Sequence, residues 1–424
     1  MDTIQTDQEA LSPSTDLFSR PTLLMSEESS HYLRVYPINS ISSVSPIIYE
    51  FESDFSTLIS PVDIYHVTTF KIVKSDNSDI APEAADADDT DTQKCGPANY
   101  YGSSFFNGLD VYLSGNLIES SNNMYGYKSI IQTILSNDKQ TKDTQLALSG
   151  FFNDTGEIDT NGIRSTMDKA NCGNTGLHKR YQLTKYSKSF TSVSHLHADI
   201  CQQGRYLIPG TSCRIKLTRA SPKFCLIANS AAKNFNYVIT KAYLLVKLVR
   251  PRESLRLAIE NSLQLTPAQY PIKRTEVRHF NFSGNSSVIT EANLFTGKLP
   301  TRVALALVET AAFEGSYKLS PFKFSAFKTT EIDLRCNGLS VTTEPLRIDL
   351  DNNDHVLPFL FLYKSTGGLL TNESIMTYEE YLNGNFIFLY DLTADGEHDQ
   401  LKMHTVSTGS LSLDLRASEA PANQ

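Results

Sequence analysis

The sequence predicts an all-β protein built as two β-sandwiches in tandem, on three observations. Short runs rich in β-branched and aromatic residues recur from Ile41 onward, with apolar and polar positions partly alternating, the period-two signature of half-buried strands. A helix-like break near residues 251–267 divides these runs into comparable halves. Each half holds about eight plausible strands, the complement of one sandwich.

Taken in chain order, residues 1–40 are mixed, rich in Ser, Thr and acidic groups, and read as an N-terminal arm. Its compact apolar clusters are Leu17–Phe18 and 23–25. The first ten residues carry Asp2, Asp7 and Glu9 and no apolar run, unlike a secretory signal. No stretch reaches the ~18 uninterrupted apolar residues of a membrane span. The expectation is a chain made in the cytoplasm and not secreted.

Residues 41–250 read as the first sandwich. Its opening strands are 47–51 and 65–73. Residues 76–91 hold Asp76, Asp79, Glu83, Asp86, Asp88, Asp89 and Asp91 without apolar anchors, a self-repelling surface loop. A calcium site is the sharper reading of the same residues, but the glycine and closing glutamate of an EF-hand loop are absent. In residues 108–119, Leu109, Val111 and Leu113 share a strand face and Ser114-Gly115-Asn116 supplies the turn of a hairpin. Tyr127, Ile130, Ile131, Ile134 and Leu135 recur at helical spacing after Ser120-Ser121, which predicts a helix near 121–136. Strands are expected at 146–148, 181–183, 214–217 and 224–227. The run 235–249 gives the strongest strand signal in the chain.

Residues 251–424 read as the second sandwich. Pro251-Arg252-Glu253-Ser254 opens a helix in which Leu255, Ile259 and Leu263 share a face, and Pro267 stops it. Strands are then expected at 275–282, 302–308, 357–362 and 386–390.

Composition narrows the function classes. With 40% hydrophobic residues, 22 Phe and 20 Tyr, the chain can bury large cores. A formal net charge of −9 leaves no general attraction to a phosphate backbone or an anionic membrane. Cys95, Cys172, Cys201, Cys213, Cys225 and Cys336 form no Cys-x-x-Cys pair and read as buried reduced thiols. The Asn-x-Ser/Thr sequons at Asn153, Asn281, Asn285 and Asn372 are set aside for want of a signal peptide.

Two stretches carry candidate chemistry. On a strand, His195, His197, Asp199 and Cys201 would all point one way, and two histidines with a carboxylate could hold zinc or non-haem iron. The alternative is a half-buried strand with a polar outer face, which the lack of a distant third ligand favours. Residues 178–188 place Lys179, Arg180, Lys185 and Lys188 among Tyr181 and Tyr186, a basic contact patch for DNA or for an acidic neighbour. An ordinary exposed strand and loop is the competing reading. The nucleophile elbow, the Walker phosphate loop, the zincin His-Glu-x-x-His and the dinucleotide glycine motif do not occur in the sequence.

Ordered blocks across both halves carry a family resemblance. They include Phe105-Phe106-Asn107-Gly108-Leu109-Asp110-Val111, Tyr125-Gly126-Tyr127, Gly176-Leu177-His178-Lys179-Arg180-Tyr181, Tyr206-Leu207-Ile208-Pro209-Gly210 and Tyr270-Pro271-Ile272-Lys273-Arg274. The second half adds Asn293-Leu294-Phe295-Thr296-Gly297-Lys298-Leu299-Pro300, Phe313-Glu314-Gly315-Ser316-Tyr317, Tyr381-Leu382-Asn383-Gly384-Asn385 and Tyr390-Asp391-Leu392-Thr393. In these blocks the chain resembles the Maverick/Polinton (adintovirus-like) major capsid proteins, from about residue 16 to about residue 415.

The resemblance implies two tandem eight-stranded jelly-roll β-sandwiches, a hexon-like double jelly roll with a few short helices in its connections. It implies homotrimeric, pseudo-hexameric capsomers that meet neighbouring capsomers and a penton or minor capsid protein in an icosahedral virion capsid around double-stranded DNA. Assembly would take place in the cytoplasm or nucleus, with at most weak contact to the DNA. No cofactor, metal or catalytic residue is implied. The family pattern also leads one to expect a further strand beyond residues 409–415, where this chain has only Arg416 to Gln424; the second sandwich would then show an unpaired edge.

Overall fold

The computed structural model describes residues 26–41, 45–82, 94–155, 174–228, 234–282, 287–350, 352, 355–371, 374–393 and 403–418. Residues 1–25, positions 83–91 of the expected acidic loop, Cys172, and the sequon positions Asn285 and Asn372 lie outside them.

Alternation decides the first sandwich. Its strands are β1 (Glu27–Val35), β2 (Ile47–Glu52), β3 (Leu58–Lys74), β4 (Cys95–Pro97), β5 (Phe106–Leu113), β6 (Asn116–Ser120), β7 (Phe190–His195), β8 (Ser212–Arg219), β9 (Leu226–Ala228) and β10 (Phe235–Pro251). One four-stranded sheet runs β1-β10-β3-β7 and the other β2-β8-β5-β6, with β4 and β9 as a separate pair. In β8, Cys213, Ile215 and Leu217 are buried while Arg214 is exposed and Lys216 half-buried. Period-two burial of this kind forces one face inward. Facing them across the core are Phe70 and Ile72 of β3 and Tyr237, Ile239, Leu244 and Val246 of β10. The long β3 and β10 stay paired from Phe235↔Lys74 to Val249↔Leu58, with bulges after Ile239 and Val246 that absorb the twist.

The arm expected over residues 1–40 is corrected in its described part, since Glu27–Val35 is the edge strand β1, paired antiparallel with β10. Seven of its nine residues are exposed and only Val35 is buried, so no apolar period betrayed it. The hairpin turn falls where expected, with Ser114 and Gly115 at positive φ. The helix is Tyr125–Ser136, a few residues later than Ser120-Ser121, and its cap residue Met124 makes no side-chain capping bond.

The second sandwich is built on β11 (Val288–Lys298), β12 (Arg302–Ala306), β13 (Thr329–Cys336), β14 (Leu339–Ser340), β15 (Leu346–Arg347), β16 (Ile387–Asp391) and β17 (Thr408–Ala417). One sheet runs β11-β17-β13-β14 with β15 also on β13, and β12 pairs with β16. Among the described residues this half therefore has seven strands, whereas the first sandwich has eight in its two large sheets. β17 lies between β11 and β13, as β10 lies between β1 and β3. Among the described residues β17 is an interior strand, with Leu411, Leu413 and Leu415 in the core, so the segment 409–415 is not itself the unpaired edge.

Four strand expectations are also corrected. Residues 146–148 lie in the 3-10 turn Gln145–Ser149, and 181–183 lie in the helix Thr175–Thr184. Residues 357–362 lie in the helix Val356–Thr366, which packs on β16. That run is apolar without alternation, so its period is mute; Pro358 in the first turn and Gly367 at φ 73° past the end mark a helix. Residues 275–282 form no strand; they are part of a strap from the helix Glu253–Leu265 to β11, with Val277 and Phe280 against the second core. The helix after Pro251 is present as Glu253–Leu265.

Candidate functional site

The basic segment is a helix followed by a turn. Asn174 caps it, its side chain accepting from the Leu177 amide at 3.0 Å, a local bond that fixes a helix start. Lys179 and Lys188 are exposed and Lys185 is half-buried, its ammonium 5.4 Å from the Tyr186 ring centre. Arg180 does not belong to a contact patch: it is fully buried. Its Nε donates to the Pro97 carbonyl at 3.0 Å, Nη1 to the Phe152 carbonyl at 2.9 Å, and Nη2 to both Asp154 oxygens at 2.9 and 3.2 Å. The planar fork matches these acceptors, so Arg180 ties the helix to β4 and to residues 152–154. Ser187 anchors the far end, donating to the Ile72 carbonyl at 2.6 Å and accepting from the Ile80 amide at 2.8 Å.

The His195–Cys201 stretch does not converge. β7 stops at His195 and Asp199–Gln202 is a 3-10 turn, so the alternation needed for a shared face is lost. The His195 ring bonds the Val62 carbonyl at 2.6 Å and the Leu196 carbonyl at 3.0 Å. His197 meets the Tyr100 hydroxyl at 2.7 Å and Gln132 Oε1 at 3.2 Å. Burial, helped by His195 and Lys128, holds its pKa down at about 3, so the ring is neutral. Burial pushes the Cys201 thiol well up, which keeps it protonated. Among the described residues, no three His, Cys, Asp or Glu side chains are grouped to hold a metal.

Asp199 belongs to another arrangement. Lys128 Nζ lies 2.5 Å from Glu119 Oε1 and 2.5 Å from Asp199 Oδ1, all three side chains being buried. Glu119 Oε2 accepts from the Asp199 amide at 2.6 Å, and Asp199 Oδ2 from the Thr275 amide at 3.1 Å. One cluster therefore joins β6, the helix Tyr125–Ser136, the 3-10 turn and the strap. Burial pushes the Glu119 carboxyl above its ordinary range, against the pull of Lys128. Sequence reasoning missed Lys128; its signal was position, three residues after Tyr125 and three before Ile131 on the apolar face.

The same helix forms the seam between the sandwiches. Tyr127, Ile130 and Ile134 are counted in the second core, not the first. Tyr127 stacks on Phe313 at 5.7 Å and meets Phe322 edge-on at 5.6 Å. Lys139 donates from its amide to the Ser374 carbonyl at 2.7 Å and from Nζ to Glu380 at 2.6 Å. Buried Lys142 donates to the Ile134 carbonyl and, at 3.1 Å, to the Ile375 carbonyl. Burial lowers its pKa to about 7. Aromatic contact and paired charge across a shared core make the two sandwiches one unit, and that coupling is what this arrangement supplies chemically.

No family model matches the chain. The Caenorhabditis elegans protein "Uncharacterized protein F54H12.2" is 25% identical over 282 residues, 66% of this chain and 63% of that protein. The match thus spans less than two thirds of the relative's length. A chain in the 3.5 Å cryo-EM structure of the Sputnik virophage superposes with a TM-score of 0.60 at 12% identity, covering 97% of this chain and 86% of that one. The mavirus major capsid protein gives a TM-score of 0.43 at 11% identity, covering 99% and 90%. No helix among the described residues is long and apolar enough to cross a membrane. The two sandwiches, each with its last long strand between the first and third of its principal sheet, make a double jelly roll, the fold shared with the Sputnik chain.

Proposed function

We propose that this chain is a structural major capsid protein, three copies of which form a pseudo-hexameric capsomer of an icosahedral double-stranded DNA virus or virus-like transposon of the Maverick/Polinton type. The observation that carries the reading is the pair of jelly rolls joined through one shared helix. Three such pairs present six sandwiches around one axis, and closed symmetry repeats every lateral contact. The likeness in fold to the Sputnik chain supports the same reading over nearly the whole length.

In this role the chain needs no substrate chemistry, its place is the virion capsid, and its partners are its own copies, neighbouring capsomers and a penton or minor capsid protein. Lys179, Lys185 and Lys188 are the cations of the basic segment left to contact DNA, weakly, against a net charge of −9. Size-exclusion chromatography with light scattering tests the trimer, and electron microscopy tests assembly into capsomer sheets or shells.

The Caenorhabditis elegans relative favours a second reading, a host-retained capsid-derived binding protein that no longer assembles. That protein would remain small under every assembly condition.

A further inference from the structure

Among the described residues, each sandwich leaves an apolar helix face in solvent. On the first it belongs to the helix Glu253–Leu265, which follows β10 and has no buried residue; Leu257 and Leu263 are 48% and 36% exposed. A 13-residue helix without a buried face is marginal in water, so whatever covers it also stabilises it. Beside it opens a groove of about 190 Å³ lined by Phe55, Leu58, Pro209, Ile259 and Leu263, with Phe55 81% exposed. A cavity of about 150 Å³ holds a benzene ring, so this groove admits leucine side chains. The pairs Glu27↔Pro251 and Leu58↔Val249 set it at the foot of the sandwich, where β1 begins and β10 ends. Around it Glu52, Asp54, Glu253 and Glu260 outnumber Arg252 and Arg256.

On the second sandwich the face belongs to the helix Val356–Thr366. Its inner side packs on β16, while Val356, Leu357 and Leu360 are 56%, 49% and 39% exposed. Leu357, Leu360 and Lys364 fall at i, i+3 and i+7, one stripe that ends in the helix's single charge, an exposed cation. The chain enters this helix from β15, which pairs with the first residues of β13 beside the end of β17, so the stripe too is reached from the foot of its sandwich.

What covers the stripe follows from the seam inside the chain. The helix Tyr125–Ser136 rests on β5 of the first sandwich and puts Tyr127, Ile130 and Ile134 into the second core. The helix Val356–Thr366 rests on β16 of the second sandwich, and its outer leucines stay in solvent. A closed ring of tandem sandwiches needs a contact from each second sandwich to the first sandwich of the next copy, and such a head-to-tail contact uses two different patches. The chain carries them: a convex apolar stripe with a cation, and a groove with an acidic surround, opposite in shape and in charge.

We propose that Leu357 and Leu360 of one copy enter the groove at Phe55 of the next copy, with Lys364 facing Glu260, and that this contact closes the ring. The contact presupposes the trimeric capsomer proposed above and is the surface between its chains. Leu360→Asp and Phe55→Asp test it, both at exposed positions, so that circular dichroism and the exchange protection of β3 and β10 stay as in the parent. In light scattering of the full chain, each variant dissociates at a concentration about thirtyfold or more above the parent's, the effect of losing one buried anchor. A parent trimer that both variants keep overturns this contact and leaves the trimer standing. A parent that stays monomeric at every concentration overturns the trimer and the contact with it. A chain carrying Phe55→Cys and Leu360→Cys decides the matter if the aspartates disturb folding: mild oxidation joins chains up to a closed set of three. No crosslink, a crosslink within one chain, or one between two copies of either single variant overturns the proposal.

Discussion

Lys142, in the short helix Lys139–Asp143, donates its ammonium to the carbonyl of Ile375 in the second sandwich at 3.1 Å, and both residues are buried. A buried cation thus bridges the two jelly rolls, and its titration is tied to their coupling.

That tie has a sign. Burial lowers the Lys142 pKa from 10.5 to about 7 in the folded state. Between these values the unfolded chain binds the proton and the folded chain does not, so stability rises as pH increases through the window. Below about pH 7 both states are protonated and the full cost of burying the charge remains. Denaturant midpoints measured from pH 6 to pH 10 should climb in the parent. In Lys142→Met the part of that climb due to this group should disappear; an identical climb in both proteins would contradict the assignment.

Arg180→Ala strips the cation from Asp154 and leaves the Pro97 and Phe152 carbonyls without their donors. Loss of one partner from a buried pair costs about 3–5 kcal/mol, which thermal unfolding should register as a large fall in Tm. Lys179→Ala and Lys188→Ala, on the exposed side, should each change stability by no more than about 0.5 kcal/mol. If the two classes destabilise equally, Arg180 is not the anchor described.

Lys128→Met leaves Glu119 and Asp199 facing each other without a cation. The variant should be destabilised by about 3–5 kcal/mol near pH 8. The deficit should shrink toward pH 5, because Glu119, whose pKa is already raised by burial, takes up a proton in the folded state before it does in the unfolded chain. Urea melts at the two pH values give the comparison; a deficit that grows as pH falls would refute the shared-cation account.

How far these features could be read beforehand depended on which faces are buried. β3, β8 and β10 were legible because one side of each strand is apolar and the other polar. β1 was not, since it is held by backbone pairing at an edge with nearly every side chain in solvent. The helix Val356–Thr366 was misread because an unbroken apolar run has no period to report. Within the site, Arg180 was visible as a charge and invisible as an anchor: its acceptors at Pro97, Phe152 and Asp154 come from other segments that only the fold brings together. The histidines failed in the opposite way, because a strand assumed to continue past His195 ends there.

The central claim, that the joined jelly rolls are the unit of a capsomer, is tested most directly by the mass of the purified full chain in solution. Light scattering across a wide concentration range should give three times the chain mass of 47.2 kDa, with six-cornered particles in the same fractions by electron microscopy. A mass of one chain at every concentration, with no ordered particles, would contradict it.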